Sequence, residues 1–119
     1  MDREAIRSYL NTKIGAIEEY PFGPEALVIK VAGKMFALLS EGEDPASVSL
    51  KCDPIDAQFL RDQYTAIKPG YHLNKQHWNT VTLDGSVPAE VLCRMVDESY
   101  RLVVQGLPRR LRTGLLDVE

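Results

Sequence analysis

The sequence predicts a two-layer α+β sandwich with a mainly antiparallel sheet. Three observations predict it: apolar residues at helical spacing near both ends and in the middle of the chain, β-branched or alternating stretches between them, and glycine-containing turns that join neighbouring strands. The resulting order is helix, three strands, helix, two strands, helix. The length of 119 residues suits one domain, so we expect residues 1–119 to form a single unit.

The first element is a helix capped by Asp2, ending near Thr12 to Gly15. Its buried stripe consists of Ile6, Tyr9 and Leu10. The prolines and glycine of Tyr20 to Pro24 then predict an ordered loop. We expect the rings of Tyr20 and Phe22 to cover one end of the core, because aromatic side chains act mainly through buried area.

Leu27 to Val31 and Met35 to Leu39 predict two strands of a tight hairpin, with Gly33 supplying the positive φ of the turn. A third strand covers Ser47 to Cys52, with Val48 and Leu50 pointing inward. Lysines mark the hairpin tip and the end of the third strand: Lys30, Lys34 and Lys51. These lysines suit either of two roles. They could contact phosphate groups, or their charge could prevent the sheet from pairing with the edge of another sheet.

Asp53 and Pro54 start a second helix that runs to about Gln63. We expect its apolar residues to face the sheet and its charged residues to face water. The apolar set is Ile55, Phe59 and Leu60, and the charged set is Asp56, Arg61 and Asp62. Ile67 to Gly70 then breaks the helix.

Trp78 to Leu83 alternates and predicts a strand, with Asn79, Val81 and Leu83 on one face. Pro88 lies in the first turn of the last long helix, which runs to Gln105. Its broad apolar stripe comprises Val91, Leu92, Met95, Val96, Ser99, Leu102 and Val103. A basic run follows, Arg109, Arg110 and Arg112, with Leu111, Leu115 and Leu116 available to pack; a short helix or a mobile tail would both fit it.

The candidate functional surface is the central stretch from Lys68 to Val81, which holds both histidines and the only tryptophan. No acidic residue occurs between Gln63 and Leu83, although the chain carries a net charge of -3. Its cations and amides suit phosphate contacts, and its rings suit stacking on bases. The candidate residues are Lys68, Tyr71, His72, Asn74, Lys75, His77, Trp78 and Asn79, with Lys30, Lys34 and Lys51 extending the surface.

A structural role competes for several of these residues. Trp78 could fill a gap in the core, and Asn74 could cap a short helical turn. His72 and His77 could satisfy buried backbone groups. Lys75 is a better candidate for a surface contact, because burying an unpaired ammonium group is costly.

Catalysis, metal binding and cofactor binding are disfavoured. His72 and His77 are five residues apart, not the four that place two imidazoles on one helix face, and the chain contains no phosphate loop, GxSxG or HExxH motif. Cys52 and Cys93 match no metal-binding pattern, and we expect both to be reduced thiols. No signal peptide or membrane span is expected, which favours a cytoplasmic protein.

The central stretch, PGYHLNKQHWNTV from Pro69 to Val81 followed by LDGS, resembles the signature of the MmcQ/YjbR family. Other segments agree in order: Tyr20 to Pro24, Lys30 to Phe36, Val48 to Lys51, and Ser99 to Val104. The resemblance implies a secretion-chaperone-like two-layer fold and DNA binding through a double-wing motif. We expect a monomer or weak homodimer that binds double-stranded DNA. The alternative is a protein- or small-ligand-binding module that uses the same cleft.

Overall fold

A computed structural model of the chain describes residues 1–115, so the expected packing of Leu116 lies outside the described residues. The elements in chain order are α1 (Arg3–Leu10), β1 (Ile17–Glu19), β2 (Ala26–Val31), β3 (Lys34–Ser40), β4 (Ser47–Lys51), α2 (Pro54–Gln63), β5 (Ile67–Pro69), β6 (Trp78–Thr82), α3 (Ala89–Gln105) and α4 (Arg109–Arg112). The predicted α+β class is confirmed. The basic run forms the short helix α4. Within residues 1–115, no helix is both long and apolar enough to cross a bilayer.

The sheet has the order β1-β2-β3-β4-β6-β5, and every neighbouring pair is antiparallel. Helices α1 and α3 cover strands β2 to β4, while α2 covers β5 and β6. The edge strand β1 was not expected from the sequence, because its Glu18 and Glu19 give no apolar signal. It forms by pairing with β2. The core therefore lies between one face of the sheet and the helices.

The β2–β3 hairpin turns at Ala32 and Gly33, whose φ angles of 48° and 80° are both positive. Two positive φ angles in a two-residue loop define a type I′ turn, which matches the twist of the strands. The register shifts just before this turn, because Ile29 pairs with Ala37 and Lys30 pairs with Met35. The buried ring of Phe36 lies 5.3 Å from that of Tyr100 on α3 in an edge-to-face arrangement.

The hydroxyl of Ser99 joins α3 to the sheet where β3 and β4 separate. Its Oγ donates to the carbonyl of Phe36 at 2.6 Å and accepts the N–H of Lys51 at 2.9 Å. The side chain is fully buried. Ser99 thus satisfies two backbone groups that the strand ladder leaves open.

Two expectations about apolar side chains are wrong. Tyr20 and Phe22 do not cover the core, since 47% and 74% of their surfaces are exposed. Helix α2 does not turn Ile55 and Phe59 to the sheet, because they are 80% and 62% exposed. The buried residue of α2 is Ala57, whose small side chain lets the helix approach closely, and Leu60, the third residue of the expected set, is partly buried and packs against the core.

Strand direction separates the sheet into two ends. The turn between β2 and β3, the last residue of β4 and the loop 70–77 between β5 and β6 all lie at one end, which we call the hairpin end. The β3–β4 connection and the chain after β6 lie at the other end, which we call the acidic end. Both hairpins, β2–β3 and β5–β6, therefore point in the same direction.

Candidate nucleic-acid interface

The loop 70–77 leaves β5 at a residue that must be glycine. A Cβ on Gly70 would lie 2.7 Å from the Cβ of Trp78, closer than packed atoms tolerate. The N–H of Gly70 also donates to the carbonyl of Trp78 at 2.8 Å. The sequence PG therefore ends β5 and brings the loop close against the start of β6.

Asn74 and Lys75 hold the loop in shape from within. The Oδ1 of Asn74 accepts the N–H groups of Gln76 and His77, at 2.9 and 3.3 Å, so the competing expectation that Asn74 caps a turn is confirmed. The Nζ of Lys75 donates to the carbonyl of Gly70 at 3.1 Å. Lys75 remains exposed, so its charge is available at the surface.

Arg61 of α2 is a further cation at this loop, which the sequence pattern had placed in water. Its Nη2 donates to the carbonyl of Lys75 at 3.0 Å and its Nε to that of Ala57 at 3.2 Å. The guanidinium group thus clamps the loop to α2. No local sequence pattern indicates this role, because it depends on where the loop passes over the helix.

Tyr71 and His72 form an exposed pair of rings at the start of the loop. Their ring centroids lie 4.0 Å apart with planes tilted by 53°, and Tyr71 is 72% exposed. His72 has a φ of 60°, a conformation that non-glycine residues adopt at a cost in energy. The N–H of Tyr71 donates to the Oγ1 of Thr80 at 3.1 Å, so the ring pair is attached to the open face of the sheet.

Trp78 and Asn79 begin β6 and point to opposite faces. Trp78 is half-buried opposite Lys51 of β4. Asn79 is fully buried, and its Nδ2 donates to the carbonyl of Ala57 at 3.3 Å. The contact surface expected from the sequence therefore does not include Asn79. Its position on the same face as Val81 had already indicated the core side.

The four strand lysines lie in different surroundings. Lys30 pairs with Glu19 at 2.8 Å, so its charge is compensated. Lys34 is exposed beside the β2–β3 turn, and Lys68 is exposed on β5 opposite Thr80. Lys51 is half-buried at the hairpin end of β4. Lys34, Lys51 and Lys68 therefore carry the uncompensated charge.

Charges are separated along the strand direction. Among residues 1–115, every ion pair joins side chains outside the segment 42–96. At or near the hairpin end lie Lys34, Lys51, Lys68, His72, Lys75 and His77. At the acidic end lie Glu25, Glu41, Glu43, Asp44 and Asp84. Three acids also lie near the hairpin end: Asp53, which caps α2, Asp56 in its first turn, and Glu98 of α3, which is paired with Arg101.

Cys52 lies beneath the loop, with its N–H bonded to the carbonyl of His77 at 2.7 Å. Burial, together with the nearby Asp56, raises the pKa of its thiol to about 11. The group stays protonated at neutral pH, and a protonated thiol is a poor nucleophile and metal ligand. In the described part of the chain, no group of three or more His, Cys, Asp or Glu side chains could hold a metal ion.

The fold and this loop together define a small α+β domain that presents two hairpins and a cationic, aromatic surface at one end. The chain belongs to the YjbR family, whose model matches residues 11–102. It is 40% identical over 113 residues to the uncharacterized protein YjbR of Escherichia coli K12, covering 95% of this chain and 96% of that protein.

Two further similarities agree with this assignment. Protein DR2400 of Deinococcus radiodurans, with the family domain DUF419, has a crystal structure that superposes with a TM-score of 0.89 at 42% identity, covering 96% of this chain and 87% of that one. The uncharacterized protein YyaQ of Bacillus subtilis is 26% identical over 117 residues, covering 86% of this chain and 98% of that protein.

Proposed function

We propose that this protein is a non-enzymatic DNA-binding domain that contacts the backbone of double-stranded DNA with its hairpin end. The observation that carries the proposal is the separation of charge along the sheet. Uncompensated lysines occupy one end and the carboxylates of the connecting loops occupy the other. Phosphate contacts supply most of the affinity in non-specific DNA binding, so a local cationic end suffices in a chain of net charge -3.

The spacing of the two hairpins suits a duplex. Their axes are three strand positions apart in the sheet, which corresponds to about 14 Å at the usual strand separation. The major groove of B-DNA is about 12 Å wide. Lys34 can therefore approach the phosphates on one side of a groove while Lys68 and Lys75 approach those on the other. The hairpins would act as the two wings that the family resemblance implies.

Tyr71 and His72 occupy the loop between these cations. Their rings are exposed and held against each other, and the strained backbone of His72 presents them to solvent. Exposed rings beside phosphate-binding cations can stack on a base or enter a groove. In this proposal, the two rings help to position the bound DNA and have no catalytic role.

The test is fluorescence anisotropy of a labelled duplex with the wild type and a Lys34→Ala/Lys68→Ala variant. Neither side chain makes a hydrogen bond or ion pair within residues 1–115, so the variant should fold normally. We expect wild-type dissociation constants of the order of 10 µM at about 50 mM salt, and a slope of log K against log salt of about -3. The variant should bind at least about tenfold more weakly, with a slope near -1.

The matched control is Lys13→Ala, which also removes lysine charge but lies on the α1–α3 side, paired with Asp97. It should bind DNA like the wild type. Absence of wild-type binding at low salt, or equal affinities of the test variant and the wild type, would contradict the proposal.

A second candidate, binding of a cationic peptide, rests on a depression in the open face of the sheet. It is lined by Glu43, Asp44, Pro45, Ser47, Tyr71, Thr80 and Thr82. Two carboxylates and four hydroxyls would suit lysine or arginine side chains. Glu43→Gln/Asp44→Asn separates the candidates, because it would weaken peptide binding and would not weaken DNA binding.

A further inference from the structure

A groove separates α2 from α3 on the helical side of the molecule, away from the loop rings Tyr71 and His72. It has a volume of about 390 Å³, and each helix lines it with side chains three and four residues apart. The main wall residues are Asp56, Phe59 and Leu60 from α2, and Val91, Arg94 and Met95 from α3. Its interior is mainly apolar, with charged groups at the rim.

An apolar ridge runs beside this groove. Ile55 and Phe59 are 80% and 62% exposed, although they lie four residues apart on one side of α2. A regular helix in a two-layer domain normally turns such a pair towards the core, and α2 turns Ala57 there instead. Neighbouring exposed apolar side chains beside a groove mark an interaction surface.

The groove carries opposite charges on its two walls. Asp56 on α2 and Arg94 on α3 are both exposed, and neither forms an ion pair within the described chain. In a dimer with two-fold symmetry, if one residue contacts a second across the interface, the reciprocal contact also forms. An acid on one wall and a base on the other, next to a ridge and a groove, therefore make a self-complementary surface.

We propose that this groove binds a second copy of the same chain. Phe59 of each copy enters the groove of the other, and Asp56 of each copy faces Arg94 of the other. The occupant is a second copy because one surface supplies both the projecting ridge and the groove, and both members of the charge pair. The association is weak and reversible, since the apolar contact is confined to a few side chains per copy.

Charge reversal tests this arrangement. In homodimers of Asp56→Arg, two arginines oppose each other at both contacts, and in homodimers of Arg94→Asp two carboxylates do so. Each single variant should therefore dimerise at least about tenfold more weakly than the wild type. An equimolar mixture of the two variants restores both opposite-charge contacts, so it should form heterodimers with near wild-type affinity.

The measurement is sedimentation equilibrium over a concentration range of roughly 10 to 500 µM, chosen to bracket a weak dimer. Circular dichroism controls for folding, which solvent-exposed substitutions should leave intact. A Phe59→Ser variant, which keeps the charge pair, should also be monomeric. The proposal is overturned if the wild type stays monomeric throughout, if the single variants dimerise like the wild type, or if their mixture does not associate. It is independent of DNA binding, which none of these measurements requires.

Discussion

Glu18 connects the edge of the sheet to the first helix. Its carboxylate accepts hydrogen bonds from the Nε and Nη2 of Arg7 at 2.6 and 2.7 Å, and from the Nδ2 of Asn11 at 2.9 Å. The bond to Arg7 is the main reason that the pKa of Glu18 falls to about 2 from its usual 4.5. A bidentate arginine contact of this kind fixes geometry as well as charge.

Glu18→Gln should therefore destabilise the protein in a pH-dependent way. Because the folded pKa lies below the unfolded one, the carboxylate stabilises the fold above about pH 4.5 and loses this effect as pH falls towards 2. We expect a loss of about 1 kcal/mol at pH 7, reduced for the partial exposure of the pair, and almost none at pH 2. Urea unfolding at the two pH values checks this. Glu43→Gln, in an exposed loop, is the control and should change little.

Side-chain environments were the part of the site that the sequence could predict least. The cap formed by Asn74 follows from local spacing and was predictable as an alternative. Asn79 was expected at the DNA surface although strand alternation placed it beside Val81, in the core. The clamp formed by Arg61 depends on where a distant loop passes over the helix, which no local pattern encodes.

Elements were predicted well where they have a strong periodic signal. Helix α3 and the β2–β3 hairpin lie close to the expected positions, because both combine an apolar repeat with clear terminal residues. The expected rotation of α2 about its axis was wrong. The sequence shows which side of the helix is most apolar, but the side that packs on the sheet is the one that carries Ala57. Strand β1 was missed because tertiary pairing, and not residue preference, creates a strand of three residues.

Ser99→Ala tests the connection between α3 and the sheet. The substitution leaves the carbonyl of Phe36 and the N–H of Lys51 without the partner that both now share. Because each buried backbone group left unsatisfied costs about 1 to 3 kcal/mol, we expect a loss of about 2 to 3 kcal/mol. Thermal and urea unfolding measure it. Ser8→Ala, at an exposed position of α1, is the matched control, and equal losses for the two variants would contradict this role of Ser99.

The molecule as a whole acts as an electrical dipole along its strands. The acidic end is about 17 Å from the hairpin end, taken as the five residues of β4 at about 3.3 Å each. The Debye length is about 30 Å at 0.01 M salt and about 8 Å at 0.15 M. The carboxylates Glu43 and Asp44 therefore influence DNA approaching the lysines mainly at low salt, although they line the same depression as Tyr71.

Glu43→Gln/Asp44→Asn should consequently raise the affinity for duplex DNA by about twofold at 0.01 M salt and leave it unchanged at 0.15 M. Anisotropy titrations at the two salt concentrations measure this. A gain that persists at 0.15 M would indicate direct contact between this loop and the DNA, and would contradict the separation of the two ends.

The short outer strands decide how the sheet can meet other chains. β1 and β5 contain three residues each, so a strand added beside either could form only a few backbone hydrogen bonds. Strands this short are poor templates for fibres and for extended peptides. The domain should therefore not form fibres through its sheet edges when it is concentrated. Partner molecules must therefore recognise the domain mainly through its side chains, because its sheet edges offer few backbone hydrogen bonds.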